Sequence, residues 1–127
     1  MKQISEIHIA GRVIRGDNFG KVLGFPTANL DRRQYQRRRL NVNFGVYGGK
    51  ALMPSGKIYR AAIVIGPNDK SGLPKLEAHL LGFRGNLYGI YLNIYLNIYL
   101  RPFKKYPSVE QLRQQIKKDL KLLKTLK

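Results

Sequence analysis

The chain contains no cysteine and no tryptophan, and only 7 of its 127 residues are acidic. Without cysteine there is no disulfide framework, no thiolate metal ligand and no thiol nucleophile. No apolar run reaches the roughly 20 residues that span a bilayer, and residues 1–15 lack the apolar stretch of a secretory leader. The expectation is a soluble cytoplasmic protein with no membrane association. A chain of 127 residues has room for one domain, taken as residues 1–127, and for a core of its own.

The scarcity of acids leaves 24 Lys and Arg in excess, for a net charge of +17. A field of that size attracts polyanions in general, so nonspecific polyanion binding is expected. Arg32, Arg33, Arg37, Arg38 and Arg39 fall in one connection, and Lys117, Lys118, Lys121, Lys124 and Lys127 lie near the C-terminus. These clusters read either as a nucleic-acid patch or as a solvated basic surface. The second is favoured, because no aromatic and basic recognition motif accompanies them.

Pattern gives most of the elements. Ile4, Ile7, Ile9, Val13 and Ile14 predict a first strand over 4–15, with Gly11 as a bulge or a close backbone approach. The arginine-rich stretch after Leu30 has no helical stripe and reads as a surface connection as far as Val42. Residues 44–52 and 58–66 form a hairpin about Pro54-Ser55-Gly56-Lys57, residues 67–72 a loop, and 76–81 a short strand. From 90 to 100 the alternation is strict: Ile90, Leu92, Ile94, Leu96, Ile98 and Leu100 on one face, Tyr91, Asn93, Tyr95, Asn97 and Tyr99 on the other. A strand of that length is expected to bend and to change neighbours, and its uniform pattern leaves its register open. Pro107 and Ser108 start a helix, with Gln111 at capping-box spacing and Val109, Leu112, Ile116, Leu120 and Leu123 as its apolar stripe. Short strands followed by one helix predict a small antiparallel barrel.

The chemistry-bearing stretch is residues 16–30. Gly16, Gly20 and Gly24 permit close backbone approach to a ligand, and Lys21 places a cation among them. Thr27 and Asn29 follow Pro26, offer hard oxygen ligands, and share one face of an extended segment. Spacing alone favours a glycine-bearing hairpin over a phosphate and metal site. There is no Walker-type Gly-Lys-Ser/Thr and no dinucleotide fingerprint.

The string Gly24-Phe25-Pro26-Thr27-Ala28-Asn29 resembles the signature of the riboflavin kinase family, and the likeness runs along nearly the whole chain. Gly45-Val46-Tyr47, Ile65-Gly66, Leu76-Glu77-Ala78-His79-Leu80, Leu87-Tyr88-Gly89 and Leu100-Arg101-Pro102 follow in the family's order. The resemblance implies a mainly β fold, a six-stranded antiparallel Greek-key barrel with a C-terminal α-helix. It also implies a stand-alone kinase that transfers the ATP γ-phosphate to the ribityl 5'-hydroxyl of riboflavin, giving FMN and ADP. Residue by residue, it makes Glu77 the catalytic base and Thr27 and Asn29 the ligands of Mg²⁺ or another divalent cation. Gly16, Gly20, Lys21, Gly24, Pro26, Thr27, Tyr88 and Gly89 would bind the nucleotide, and Arg101 would lie at the flavin end. His79 reads as structural. Phe103 stands where the family usually has Glu, and the 67–75 loop is short and lacks the usual Pro-Thr, which bears on flavin binding more than on chemistry. A monomer is expected. The alternative reading is a small basic β-barrel that binds nucleic acid and carries a vestigial kinase site.

Overall fold

The computed structural model of the chain describes residues 1–15 and 27–125. Its strands are β1 (Lys2–Ile14), β2 (Thr27–Leu30), β3 (Gly45–Leu52), β4 (Ile58–Asn68), β5 (Pro74–Leu80) and β6 (Tyr91–Arg101). Two helices, α1 (Arg33–Arg37) and α2 (Val109–Thr125), complete it. The strands close into an antiparallel barrel in the order β1-β2-β5-β4-β3-β6. β3, β4 and β5 are consecutive hairpin partners and β2 lies beside β5, which is a Greek-key arrangement. Among the described residues the ring closes through the short β2, which pairs with β1 at Val13 and Ile14 and with β5 at Glu77, Ala78 and His79.

Alternation along β6 builds the centre of the barrel. Leu92, Ile94 and Leu96 are completely buried and meet Ile9, Ala51, Ile63, Ile65, Leu76 and Ala78 in the core. The pattern then changes phase. On β3, Gly49 pairs with Leu96 and Gly48 with Ile98, and again Tyr47 pairs with Tyr99 and Val46 with Arg101. Each step inserts one extra residue into β6, and an extra residue turns the following side chain to the other face. Hence Tyr99 packs on the barrel core, edge-on to Tyr47 at 5.3 Å, while Leu100 lies outside under α2. This corrects the expectation that Leu100 shares a face with Leu92 and that Tyr99 sits on the tyrosine-asparagine side. The bulges give the expected bend, but the expected change of neighbours does not occur: β6 keeps β1 on one side and β3 on the other.

Other boundaries also differ from the sequence reading. The connection after Leu30 contains α1, a single helical turn, because Tyr35 is buried and its hydroxyl accepts the Val42 N–H at 2.9 Å. One apolar anchor is enough for one turn and leaves no periodic stripe to read. Its arginines are not all free: Arg32 pairs with Asp69 at 2.6 Å and Arg33 with Asp31 at 3.3 Å. β4 continues through Pro67 and Asn68, which the sequence assigned to a loop. Gly11 marks a close approach, since a Cβ there would lie 2.5 Å from the Asp31 carbonyl oxygen. The irregularity in β1 falls between Gln3 and Ile7 instead.

Helix α2 begins as expected, with Ser108 Oγ accepting the Gln111 N–H at 3.2 Å. Ile116, Leu120 and Leu123 are buried against Ala62, with Leu81, Leu100, Val109 and Leu112 around them. Each of the three contributes about 1.5–3 kcal/mol. At the far end Arg60 donates to the carbonyls of Leu123 at 2.7 Å and Lys124 at 3.1 Å, placing a cation at the helix C-terminus.

Two adjacent glycines make the fold testable. A Cβ on Gly49 would lie 1.8 Å from the Tyr95 carbonyl oxygen, whereas one on Gly48 would meet the terminal Leu123 Cδ2 at 2.5 Å. The first contact is backbone inside a sheet; the second is the end of a side chain that can turn. Gly49→Ala should therefore cost on the order of 3 kcal/mol or more in urea denaturation, and Gly48→Ala about 1 kcal/mol. Equal costs would show that the bulge at Leu96 is not held by this close approach.

Candidate phosphoryl-transfer site

The site begins with the pairing of β2 and β5. Thr27 faces His79, Ala28 faces Ala78, and Asn29 faces Glu77. The two alanines are completely buried on the barrel side. By strand parity, Thr27, Asn29, Glu77 and His79 therefore project from the outer surface together. Lys75, two residues before Glu77, joins them. The expected grouping of Thr27, Asn29 and Glu77 is thus a direct result of the register.

Glu77 is largely enclosed, with 15% of its side chain exposed. Its Oε1 lies 2.7 Å from Lys75 Nζ, and its Oε2 lies 3.8 Å from His79 Nε2. The first contact is an ion pair with a charge-assisted hydrogen bond; the second is too long for a hydrogen bond. His79 is only 2% exposed, and its Nδ1 is 3.0 Å from Thr27 Oγ1. Burial pushes the imidazole below its ordinary pKa, while the Glu77 and Asp119 carboxylates act in the opposite sense. A neutral imidazole has one N–H and one lone pair. With the proton on Nε2, the N–H faces the carboxylate and Nδ1 accepts the Thr27 hydroxyl proton. His79 thus links two of the site residues, and its position two residues after Glu77 on an outward face was the signal for it.

Arg101 is placed differently from a simple flavin contact. Its Nε and one terminal nitrogen donate to the two Asp119 oxygens at 3.2 and 2.8 Å. Gln115 donates to the same carboxylate at 3.1 Å. Asp119 is buried, and the bidentate pair pins α2 to the end of β6. The sequence reading missed Asp119, although a lone acid between Ile116 and Leu120 on an apolar stripe was there to be seen. Phe103 lies beside Gly66, where an added Cβ would be 3.7 Å from its ring and 3.0 Å from Lys75 Cβ. An aromatic surface therefore sits next to the lysine that holds Glu77.

Tyr88 and Gly89 are moored to the end of β1. The Gly89 N–H donates to the Val13 carbonyl at 2.9 Å, and Arg12 donates to the Gly89 carbonyl at 2.7 Å. Gly89 has φ +82°, which favours glycine. Tyr88 is exposed, with the Arg15 guanidinium 5.0 Å from its ring centre. Gly16, Gly20, Lys21, Gly24 and Pro26 lie outside the described residues.

Thr27 and Asn29 bring neutral oxygens, and no group of three or more His, Cys, Asp or Glu side chains gathers among the described residues. Such a donor set suits a hard cation such as Mg²⁺, which keeps several waters and is bound partly by substrate phosphates.

Fold and site together define a closed six-stranded antiparallel barrel with a lateral polar site beside a C-terminal helix. The model for the riboflavin kinase family matches residues 4–127, and the chain belongs to that family. It is 36% identical over 118 residues to the bifunctional riboflavin kinase/FMN adenylyltransferase of Haemophilus influenzae, covering 91% of this chain and 37% of that protein. It is 34% identical over 114 residues to human riboflavin kinase, covering 87% of this chain and 74% of the relative. The riboflavin kinase structure from Trypanosoma brucei superposes with a TM-score of 0.64 over 98% of this chain and 80% of that one. At 24% identity this last likeness shows the fold alone. No helix among the described residues is long and apolar enough to cross a membrane.

Two stability measurements test the geometry. Asp119→Ala leaves Arg101 without its bidentate partner and should cost about 3 kcal/mol, while Arg101→Leu with Asp119→Leu, which removes both charges, should cost less. A double variant as unstable as the single would mean that the pair does not act as a unit. For His79, the unfolded chain protonates near the ordinary value of about 6.5 and the folded protein only at lower pH. Stability from this group is complete above that value and declines as pH falls below it, by at most about 1.4 kcal/mol per unit. Urea midpoints at about pH 7.5 and about pH 5 should differ in the parent and differ less in His79→Gln; an unchanged difference would assign the effect to other groups.

Proposed function

We propose that the chain phosphorylates riboflavin, transferring the γ-phosphate of ATP to the ribityl 5'-hydroxyl to give FMN and ADP. The observation that carries this reading is the register of β2 on β5, which sets Thr27 and Asn29 beside Glu77 on one outward face. In the reaction the hydroxyl oxygen forms a bond to the γ-phosphorus, the bond from that phosphorus to the bridging oxygen breaks, and Glu77 accepts the hydroxyl proton. Phosphoryl transfer is loose, so Glu77 contributes position more than basicity. The ion pair with Lys75 on one carboxylate oxygen fixes that position, with His79 near the other oxygen. Thr27 and Asn29 would hold a divalent cation, which neutralises phosphate charge when bound.

Gly16, Gly20, Lys21, Gly24 and Pro26 complete the nucleotide site in this reading, with Tyr88 and Gly89 over it. Arg101 acts at the flavin end by fixing α2, and Phe103 beside Gly66 offers an apolar surface there. Incubation with riboflavin, ATP and Mg²⁺, resolved by chromatography, should yield FMN. Glu77→Gln should lower kcat by about 10²-fold or more, with ADP binding in Mg²⁺ retained. FMN formation by the variant at the parent rate would remove Glu77 from the chemistry, and loss of folding would make it structural. Thr27→Ala should raise the Mg²⁺ concentration needed for ADP binding; an unchanged requirement would exclude it as a ligand.

A further inference from the structure

We propose that the outer face of β6 and β1 binds single-stranded nucleic acid, independently of the kinase reading. Tyr91 and Tyr95 project from β6 on the same side, four residues and about 13 Å apart. Tyr91 is exposed and Tyr95 half-buried. Helix α2 packs elsewhere, against Ala62, Leu81 and Leu100.

Cations of β1 and β3 flank these rings, and those of α1 reach β1 beside them. Across β1, Tyr91 faces Arg12, whose guanidinium lies 6.0 Å from the ring centre, and Tyr95 faces His8, stacked at 4.8 Å and 19°. Across β3, Tyr95 faces Lys50. At the C-terminal end of α1, Arg38 donates to the His8 carbonyl at 2.9 Å, with the exposed Arg37 and Arg39 on either side of it. Between the tyrosines, Asn93 Oδ1 and His8 Nε2 lie 2.7 Å apart, and the Asn93 side-chain nitrogen gives the face a hydrogen-bond donor. Glu6, bonded to Asn97, marks the acidic limit of the face.

No basic and aromatic motif is visible along the sequence because this one is assembled across strands. Phosphates match the guanidinium and ammonium groups, and splayed bases match the aromatic rings. A duplex hides its base faces in the stack, and a membrane surface calls for deep apolar side chains where this face has tyrosine and asparagine. The net charge of +17 explains attraction of any polyanion; the rings explain a preference for single strands.

Fluorescence anisotropy of the whole chain with a labelled single-stranded RNA and with a duplex of the same length tests this. Tyr91→Ala with Tyr95→Ala leaves the charge untouched and should weaken single-strand binding about tenfold or more. Tyr91→Phe with Tyr95→Phe should restore it, which also controls for folding. Lys117→Gln with Lys121→Gln, on α2, should weaken single strand and duplex alike. Equal affinity for single strand and duplex, or an alanine variant that binds like the parent, would overturn the proposal. So would tyrosine-dependent binding to vesicles of anionic phospholipid with RNA binding unaffected.

Discussion

A closed sheet divides every strand into an inside and an outside, and the parity of each residue decides which it takes. The whole molecule depends on that constraint. Ala28 and Ala78 face inward at the β2–β5 pair, so their neighbours Thr27, Asn29, Glu77 and His79 must face outward and together. A slip of one residue would exchange the two sets and bury the carboxylate in the core. The same parity places Lys75 against Glu77 and leaves Tyr91 and Tyr95 on another part of the outer surface.

The bulges in β6 are where this constraint is broken to advantage. Inside Leu96 the strand supplies the barrel core; beyond it, Tyr99 takes the inward position and Leu100 turns out to meet α2. The helix would otherwise face a row of polar side chains. Gly48 leaves room for Leu123, and Gly49 permits the close backbone approach on the opposite edge of the bulge. Arg101, the last residue of the strand, then reaches the buried Asp119 and fixes the helix lengthwise. Removing two charges from water is costly, so the pair contributes more to where α2 sits than to how stable it is.

Within the site, charge and burial act together. His79 lies deep enough that burial outweighs the nearby carboxylates, and a neutral imidazole can serve Thr27 and face Glu77 at once. Lys75 is half exposed and supplies the positive charge that His79 does not. The carboxylate is thus held by Lys75, with the imidazole close to its other oxygen. A family likeness names Glu77 and Thr27, but it does not show that His79 stands between them, bonded to the one and facing the other.

Composition, period and motif were enough to determine that the chain is a small antiparallel barrel with a terminal helix, and which strand carries Glu77. Those features are local: a two-residue period, a helical stripe and a tetrapeptide are written in adjacent residues. The stripe of α2 and its Ser108 cap were legible for the same reason. Only the tertiary structure decided that Arg101 belongs to Asp119, that Leu100 leaves the core, that a helical turn hangs on Tyr35, and that His8, Arg12, Arg38 and Lys50 gather about two tyrosines. Each of these joins residues far apart in the chain or depends on one inserted residue in a strand. Their partners are set by register and closure, which no single stretch of sequence contains.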